Sequence, residues 1–109
     1  MVKNTKSSKK VLSKSTVAIV GVGRVGLPLG LFLAEKNCLV YGLDVDEKKL
    51  NIISSGKMPF MEEGAEELLK KHINRNFFVS TDFSNISKAK VIILTLGTPV
   101  DENMNPSLL

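Results

Sequence analysis

Two short stretches of this chain carry residues whose types and spacing point to ligand chemistry: Gly21-Val22-Gly23-Arg24-Val25-Gly26 and Gly42-Leu43-Asp44. In a Gly-x-Gly-x-x-Gly run each glycine has a separate task. Gly21 permits a tight turn from strand to helix, and Gly23 lets backbone approach an anion where a Cβ would collide. Gly26 lets the following helix lie close on a sheet. The helix start then offers free N–H groups and partial positive charge to phosphate. A helix end contributes only about 0.3–1 kcal/mol to an exposed anion and up to ~2 kcal/mol to a partly buried one. Several N–H bonds and burial of a larger ligand must therefore act together, which suits a dinucleotide pyrophosphate. Asp44 stands 23 residues after Gly21, close to the interval expected for an acid that accepts bonds from the adenosine ribose hydroxyls. The same carboxylate would repel a 2′-phosphate. At 4 Å and an effective dielectric near 20 the cost is about 4 kcal/mol per unit charge before screening. That balance favours NAD over NADP, although Lys48 and Lys49 can offset part of the repulsion. The Arg24 side chain has two open readings: it lies over the pyrophosphate, or it is an exposed residue at a helix start.

The glycine run is informative only between a strand and a helix, and the flanking sequence supplies both. Thr16-Val17-Ala18-Ile19-Val20 is an apolar, β-branched run of the kind found in strands buried on both faces. A helix is expected from about Arg24 to Lys36, with Leu27, Leu31 and Ala34 on one face. Pro28 requires that helix to start close to Arg24. Cys38 to Leu43 reads as the second strand, and Asp46 as the cap of a helix over Glu47 to Ser54 that Gly56 ends. Glu62 to Ile73 reads as a further helix, acidic at its start and basic at its end. Phe77 to Ser80 is a third strand, Asp82 to Ser87 a turn or short helix, and Val91 to Leu96 a fourth, fully apolar strand. Gly97 to Asn105 reads as a polar loop and residues 106–109 as a helix only begun. Alternating strands and helices imply an α/β class: a Rossmann-like parallel sheet with helices on both faces, of which about four strands, the N-terminal part, are present. A break at a helix start implies the first part of a longer protein.

The bulk composition narrows the function classes. The chain has 109 residues, 43% hydrophobic and 24% charged, enough for one small domain. The net charge of +4 is concentrated in residues 1–15, which carry five lysines and no acid; the other 94 residues hold ten basic and eleven acidic side chains. The division is thus a flexible basic tail over 1–15 and a near-neutral, incomplete domain over 16–109. Neither a nucleic-acid nor a membrane partner is expected. The single Cys38 excludes an intramolecular disulfide framework and fits a reducing, cytoplasmic setting. It is expected to be a small buried apolar group rather than a nucleophile. His72 reads as a cation or exposed residue at a helix C-terminus, not a general base. Glu62, Glu63, Glu66 and Glu67 read as dipole partners and a solvated face rather than metal ligands.

From Leu27-Pro28-Leu29 onward the chain resembles the nucleotide-sugar dehydrogenases typified by UDP-glucose and GDP-mannose dehydrogenases. The resemblance runs through Gly21 to Leu29, then Gly42, Asp44 and Lys49, then Gly56, Pro59, Phe60, Glu62 and Gly64 with the Leu68-Leu69 pair. It continues through Gly97-Thr98-Pro99-Val100-Asp101-Glu102 and Asn105 to Leu108. Arg24 departs from it, standing where an aromatic residue is frequent, as do Glu63 for proline and Ala65 for leucine. The resemblance implies oxidation of the C6 alcohol of a UDP- or GDP-sugar to a uronate with two NAD+ and a covalent step on a cysteine. It assigns Asp44 and Lys49 to the adenosine ribose, the backbone of Val22, Arg24 and Val25 to the pyrophosphate, and Thr98 and Pro99 to the nicotinamide side. It places the catalytic residues after Leu109, so that none lies in this chain, and implies a homo-oligomeric full-length protein. Two other readings share the glycine loop and acid: a non-enzymatic NAD-sensing domain, and an NAD dehydrogenase of the 3-hydroxyacyl-CoA or hydroxyisobutyrate type. The first does not call for Leu-Pro-Leu after the loop or Gly-Thr-Pro-Val-Asp-Glu after the fourth strand, and the second calls for different residues in the loop after that strand.

Overall fold

A computed structural model describes residues 15–95; the expected basic tail before Ser15, Leu96, the expected 97–105 loop with Thr98 and Pro99, and the expected helix start at 106–109 lie outside them. Four strands, β1 (Thr16–Val20), β2 (Leu39–Leu43), β3 (Phe77–Ser80) and β4 (Val91–Leu94), form one parallel sheet in the order β3-β2-β1-β4. The helices are α1 (Gly26–Glu35), α2 (Glu47–Ser54) and α3 (Ala65–His72), and a 3-10 turn covers Phe83–Lys88.

The sheet alternates as strand geometry requires. Val17, Ile19, Val40 and Phe77 point into a core completed by Leu27 and Leu31 of α1, Leu50 and Ile53 of α2, and Leu69 of α3. At the intervening positions Tyr41 and Phe78 stack on the other face, with ring centroids 6.0 Å apart, and Lys88 of the 3-10 turn lies over Tyr41. The register puts Phe77 beside Val40, and its ring fills a slot made by two glycines. A Cβ on Gly30 would stand 2.7 Å from the ring, and one on Gly42 3.5 Å from it.

Several boundaries follow local chemistry. Pro28 is the third residue of α1, where its missing N–H removes no intrahelical bond. The Asp46 side chain accepts from the Lys49 N–H and caps α2. Gly56, at φ +89°, closes that helix. α3 starts at Ala65 rather than Glu62, because Gly64 takes a left-handed conformation (φ +76°) and breaks the run. Glu62 and Glu63 therefore lie before the helix, and only Glu66 and Glu67 occupy its first turn. Among the described residues no group of His, Cys, Asp and Glu is placed to hold a metal ion.

In β4, which pairs with β1 on one side among the described residues, Ile93 packs against the core while Val91, Ile92 and Leu94 are exposed. One expectation is corrected: His72 ends α3 as expected but is buried, not exposed. Its Nε2 lies 2.7 Å from Glu35 Oε1 and its Nδ1 2.8 Å from Asn76 Oδ1. Asn76 in turn donates to the Ala34 and Cys38 carbonyls, so one polar cluster joins the end of α1 to the starts of β2 and β3. Cys38 stands one residue before β2, partly buried against the core. No helix among the described residues is long and apolar enough to cross a membrane.

Candidate dinucleotide site

The connections step from β1 to β2 to β3 in one direction, and then β4 returns to the far side of β1. In open parallel sheets the crevice for ligands forms outside the carboxyl ends of the strands at such a reversal. The glycine loop sits there, directly after β1. Gly21 turns the chain with φ +101°, a conformation that disfavours other residues. Its N–H donates to the Leu43 carbonyl at 2.8 Å, which ties the loop to the end of β2. Around Gly23 a Cβ would meet nothing within 4 Å, so that side of the loop is open. At Gly26 a Cβ would collide with the Gly21 carbonyl oxygen and stand 2.6 Å from the Thr95 hydroxyl. The third glycine is thus required by the turn's own backbone and by Thr95, not only by helix–sheet packing. α1 then begins with no side-chain cap and no acid in its first turn. Leu27 and Leu29 already donate to the Gly23 and Val25 carbonyls and Pro28 has no N–H, so the groups left for a ligand are those of Arg24, Val25 and Gly26 at the turn into the helix.

Asp44, just past the end of β2, is held from three directions. Its carboxylate accepts from the Val22 N–H at 2.9 Å and the Asp46 N–H at 3.0 Å, and pairs with Lys49 Nζ at 2.8 Å. Partial burial works against its charged form, but the Lys49 ammonium and the two N–H bonds outweigh it. The carboxyl is held below the usual aspartate range. The Val22 N–H is therefore directed at Asp44, while Arg24 and Val25, both exposed, stand at the open side of the loop. Lys49 is paired with Asp44 rather than free. The Arg24 guanidinium lies 5.0 Å from the centroid of the Phe60 ring, a cation–π contact that joins the glycine loop to the loop between α2 and α3. The Met58 N–H donates to Glu66 at 3.1 Å and steadies that second loop.

Three further residues at the crevice were not singled out from sequence. Val20, Gly21, Leu43, Asp44, Val45 and Phe83 line an apolar recess of about 220 Å³ beside the Asp44 carboxylate. Val45, 83% exposed, has no partner in sequence pattern to mark it, and Phe83 comes from the 3-10 turn after β3. Thr95 lies beneath the glycine turn; its only signal was a hydroxyl interrupting an apolar strand.

A parallel β-α-β sheet with an uncapped helix behind a glycine turn and an acid at the tip of the second strand defines a class, the dinucleotide-binding α/β domains. Within that class, residues 15–109 match the NAD binding domain of the UDP-glucose/GDP-mannose dehydrogenase family, and the chain belongs to that family. It is 41% identical over 92 residues to an uncharacterised protein of Methanocaldococcus jannaschii, MJ1054, covering 84% of this chain and 10% of that one. It is 35% identical over 92 residues to the UDP-N-acetyl-D-mannosamine dehydrogenase of Methanococcus maripaludis, covering 84% of this chain and 21% of that enzyme. Among solved structures, a GDP-mannose dehydrogenase of Pseudomonas aeruginosa in a ternary complex superposes with a TM-score of 0.74 at 30% identity, over 84% of this chain and 21% of that one. The chain thus spans between 10% and 21% of the length of these proteins. Of the three readings left open by the motifs, the family match supports the nucleotide-sugar dehydrogenase.

Proposed function

We propose that this chain is the part of a nucleotide-sugar dehydrogenase that holds NAD+, and that the whole protein oxidises the C6 alcohol of a UDP- or GDP-sugar to a uronate. The residues fit the cofactor. The open side of Gly23 leaves room for a pyrophosphate, the turn into α1 offers the N–H groups of Arg24, Val25 and Gly26, and the recess beside Asp44 offers an apolar floor for adenine. Bound there, NAD+ supplies a hydride acceptor. The glycine loop from Gly21 to Gly26 takes the pyrophosphate, chiefly through backbone at Arg24 and Val25. Asp44, held charged, accepts from the ribose hydroxyls, and Lys49 keeps its carboxylate oriented. Val45 and Phe83 flank the adenine. Thr98 and Pro99, which follow β4 in sequence, are assigned to the nicotinamide side by the resemblance alone. The observation that carries the reading is the 2.9 Å bond from the Val22 N–H to Asp44, which fuses the phosphate loop and the ribose acid into one site.

The sugar site and the groups that do the chemistry belong to sequence outside 1–109 in this reading. A cytoplasmic, homo-oligomeric parent protein is part of the same proposal. It is tested by calorimetry of the purified chain with NAD+ and NADP+, followed by absorbance assays with UDP- and GDP-sugars. Weak NAD+ binding, a preference over NADP+ and no turnover are expected. NADH formation from any of these sugars would overturn the division of labour, and an absence of NAD+ binding would overturn the cofactor role.

A further inference from the structure

Thr95 follows β4, and its side chain reaches back beneath the glycine turn. Its N–H extends the ladder to the Val20 carbonyl at 2.9 Å. Its hydroxyl lies 2.6 Å from the Gly21 carbonyl oxygen and 3.3 Å from that of Val20. The Val20 oxygen already accepts from the Thr95 N–H, so the single hydroxyl proton goes to the nearer acceptor, Gly21. The space is tight: a Cβ on Gly26 would overlap both the Gly21 oxygen and the Thr95 hydroxyl. The Gly21 carbonyl is therefore directed inward, under the first turn of α1.

A peptide unit is planar, and in the trans form its C=O and N–H point in opposite directions. The unit that carries the Gly21 carbonyl also carries the Val22 N–H, which donates to Asp44 at 2.9 Å. Thr95 and Asp44 thus grip the two ends of one peptide plane. Rotating that plane would break both bonds. It would also swing a carbonyl dipole toward the Asp44 carboxylate and toward any anion in the crevice.

We propose that Thr95 is a positioning residue for the dinucleotide diphosphate: with Asp44 it locks the Gly21–Val22 peptide so that no carbonyl faces the phosphates. The inference rests on the NAD reading above. In that arrangement Thr95 touches no ligand and acts through the peptide it holds. Asp44 keeps its bonds to Lys49 and Asp46 when Thr95 is changed, so the ribose contact survives while the diphosphate contact weakens.

The test is titration of the chain with ADP-ribose and with adenosine, for the wild type, Thr95→Val and Thr95→Ser. Loss of one hydrogen bond of ordinary strength corresponds to an affinity change of up to about tenfold. T95V is expected to weaken ADP-ribose by about that factor and adenosine by less than about twofold. T95S, which keeps the hydroxyl, is expected to restore ADP-ribose binding. Equal losses for both ligands, no loss for ADP-ribose, or a T95S protein as weak as T95V would overturn the inference. A wild type that binds neither ligand would instead strike the NAD reading itself. Should T95V not fold, the wild type answers by proton NMR. A Thr95 hydroxyl proton in slow exchange, with a cross-peak to the Gly26 α-protons, supports the lock, and one exchanging freely with water overturns it.

Discussion

Gly30→Ala sets two effects of opposite sign against each other. Gly30 lies in the middle of α1, where replacing glycine by alanine normally stabilises a helix by about 0.5–1 kcal/mol. Here the new Cβ would stand 2.7 Å from Phe77 Cε1, 3.3 Å from Ile19 Cδ1 and 3.4 Å from Phe77 Cζ. Carbon atoms pack best at about 3.5–4.0 Å, so the first contact is short by most of an ångström. The ring has little room to swing away: Phe77 is 1% exposed, and its Cζ also lies against Gly42. Overpacking of this kind costs about 1–3 kcal/mol. Packing therefore outweighs propensity, and a net loss of about 1–2 kcal/mol is expected. For a domain of this size that corresponds to a fall in Tm of roughly 5–15 °C. The assay is thermal and urea unfolding of wild type, Gly30→Ala, Phe77→Leu and the double variant. Phe77→Leu alone should destabilise by leaving a void. In the double variant the alanine should recover part of that loss, giving a coupling of about 1 kcal/mol or more. A rise in Tm for Gly30→Ala, or strict additivity in the cycle, would refute the slot. The consequence is functional as well, since the spacing of α1 from the sheet sets where its N-terminus meets the crevice.

Other expectations follow from the same contacts. Asp44→Asn should weaken NAD+ by about tenfold, by replacing charged hydrogen bonds with neutral ones, while NADP+ loses less because the repulsion of its 2′-phosphate is removed and Lys49 is freed. Calorimetry showing equal losses for both cofactors would end the ribose assignment. Asn76→Ala removes the bonds to His72, Ala34 and Cys38 together and should cost about 2 kcal/mol, read as a lower urea midpoint with an unchanged slope. An unchanged midpoint would show that water replaces the amide. Glu35, pulled down first by its bond to His72 and then by Lys71, and Asp44, Glu66 and Asp82 all have carboxyls held below their ordinary values of 4.5 for glutamate and 3.8 for aspartate. A depressed carboxyl stabilises the fold above its ordinary value and ceases to do so as pH falls through the lower, folded one. Stability should therefore be steady near neutrality and decline from about pH 5 downward, and a urea midpoint that rises between pH 5 and pH 3 would contradict it.

Much of this protein was legible in one dimension because its strongest signals are local. The apolar β-branched run before Gly21, the Asp46 cap of α2 and the Leu27, Leu31 and Ala34 stripe each depend on residues within a few positions, and each takes its expected place. The glycine spacing and the acid 23 residues on imply a dinucleotide from sequence alone. The family followed from short motifs in order, and the match over residues 15–109 agrees.

What the tertiary structure decided are contacts between residues far apart in the chain, for which no local pattern exists. Burial of His72 depends on Glu35, 37 residues earlier, at the end of another helix. The slot for Phe77 is cut by Gly30 and Gly42, neither of which belongs to the glycine loop. Thr95 reaches Gly21 across 74 residues, because the reversal of strand order brings the end of β4 beside the end of β1. Local composition chose the elements and the class of domain; the pairing of parallel strands, whose partners are distant by necessity, chose which side chains line the crevice.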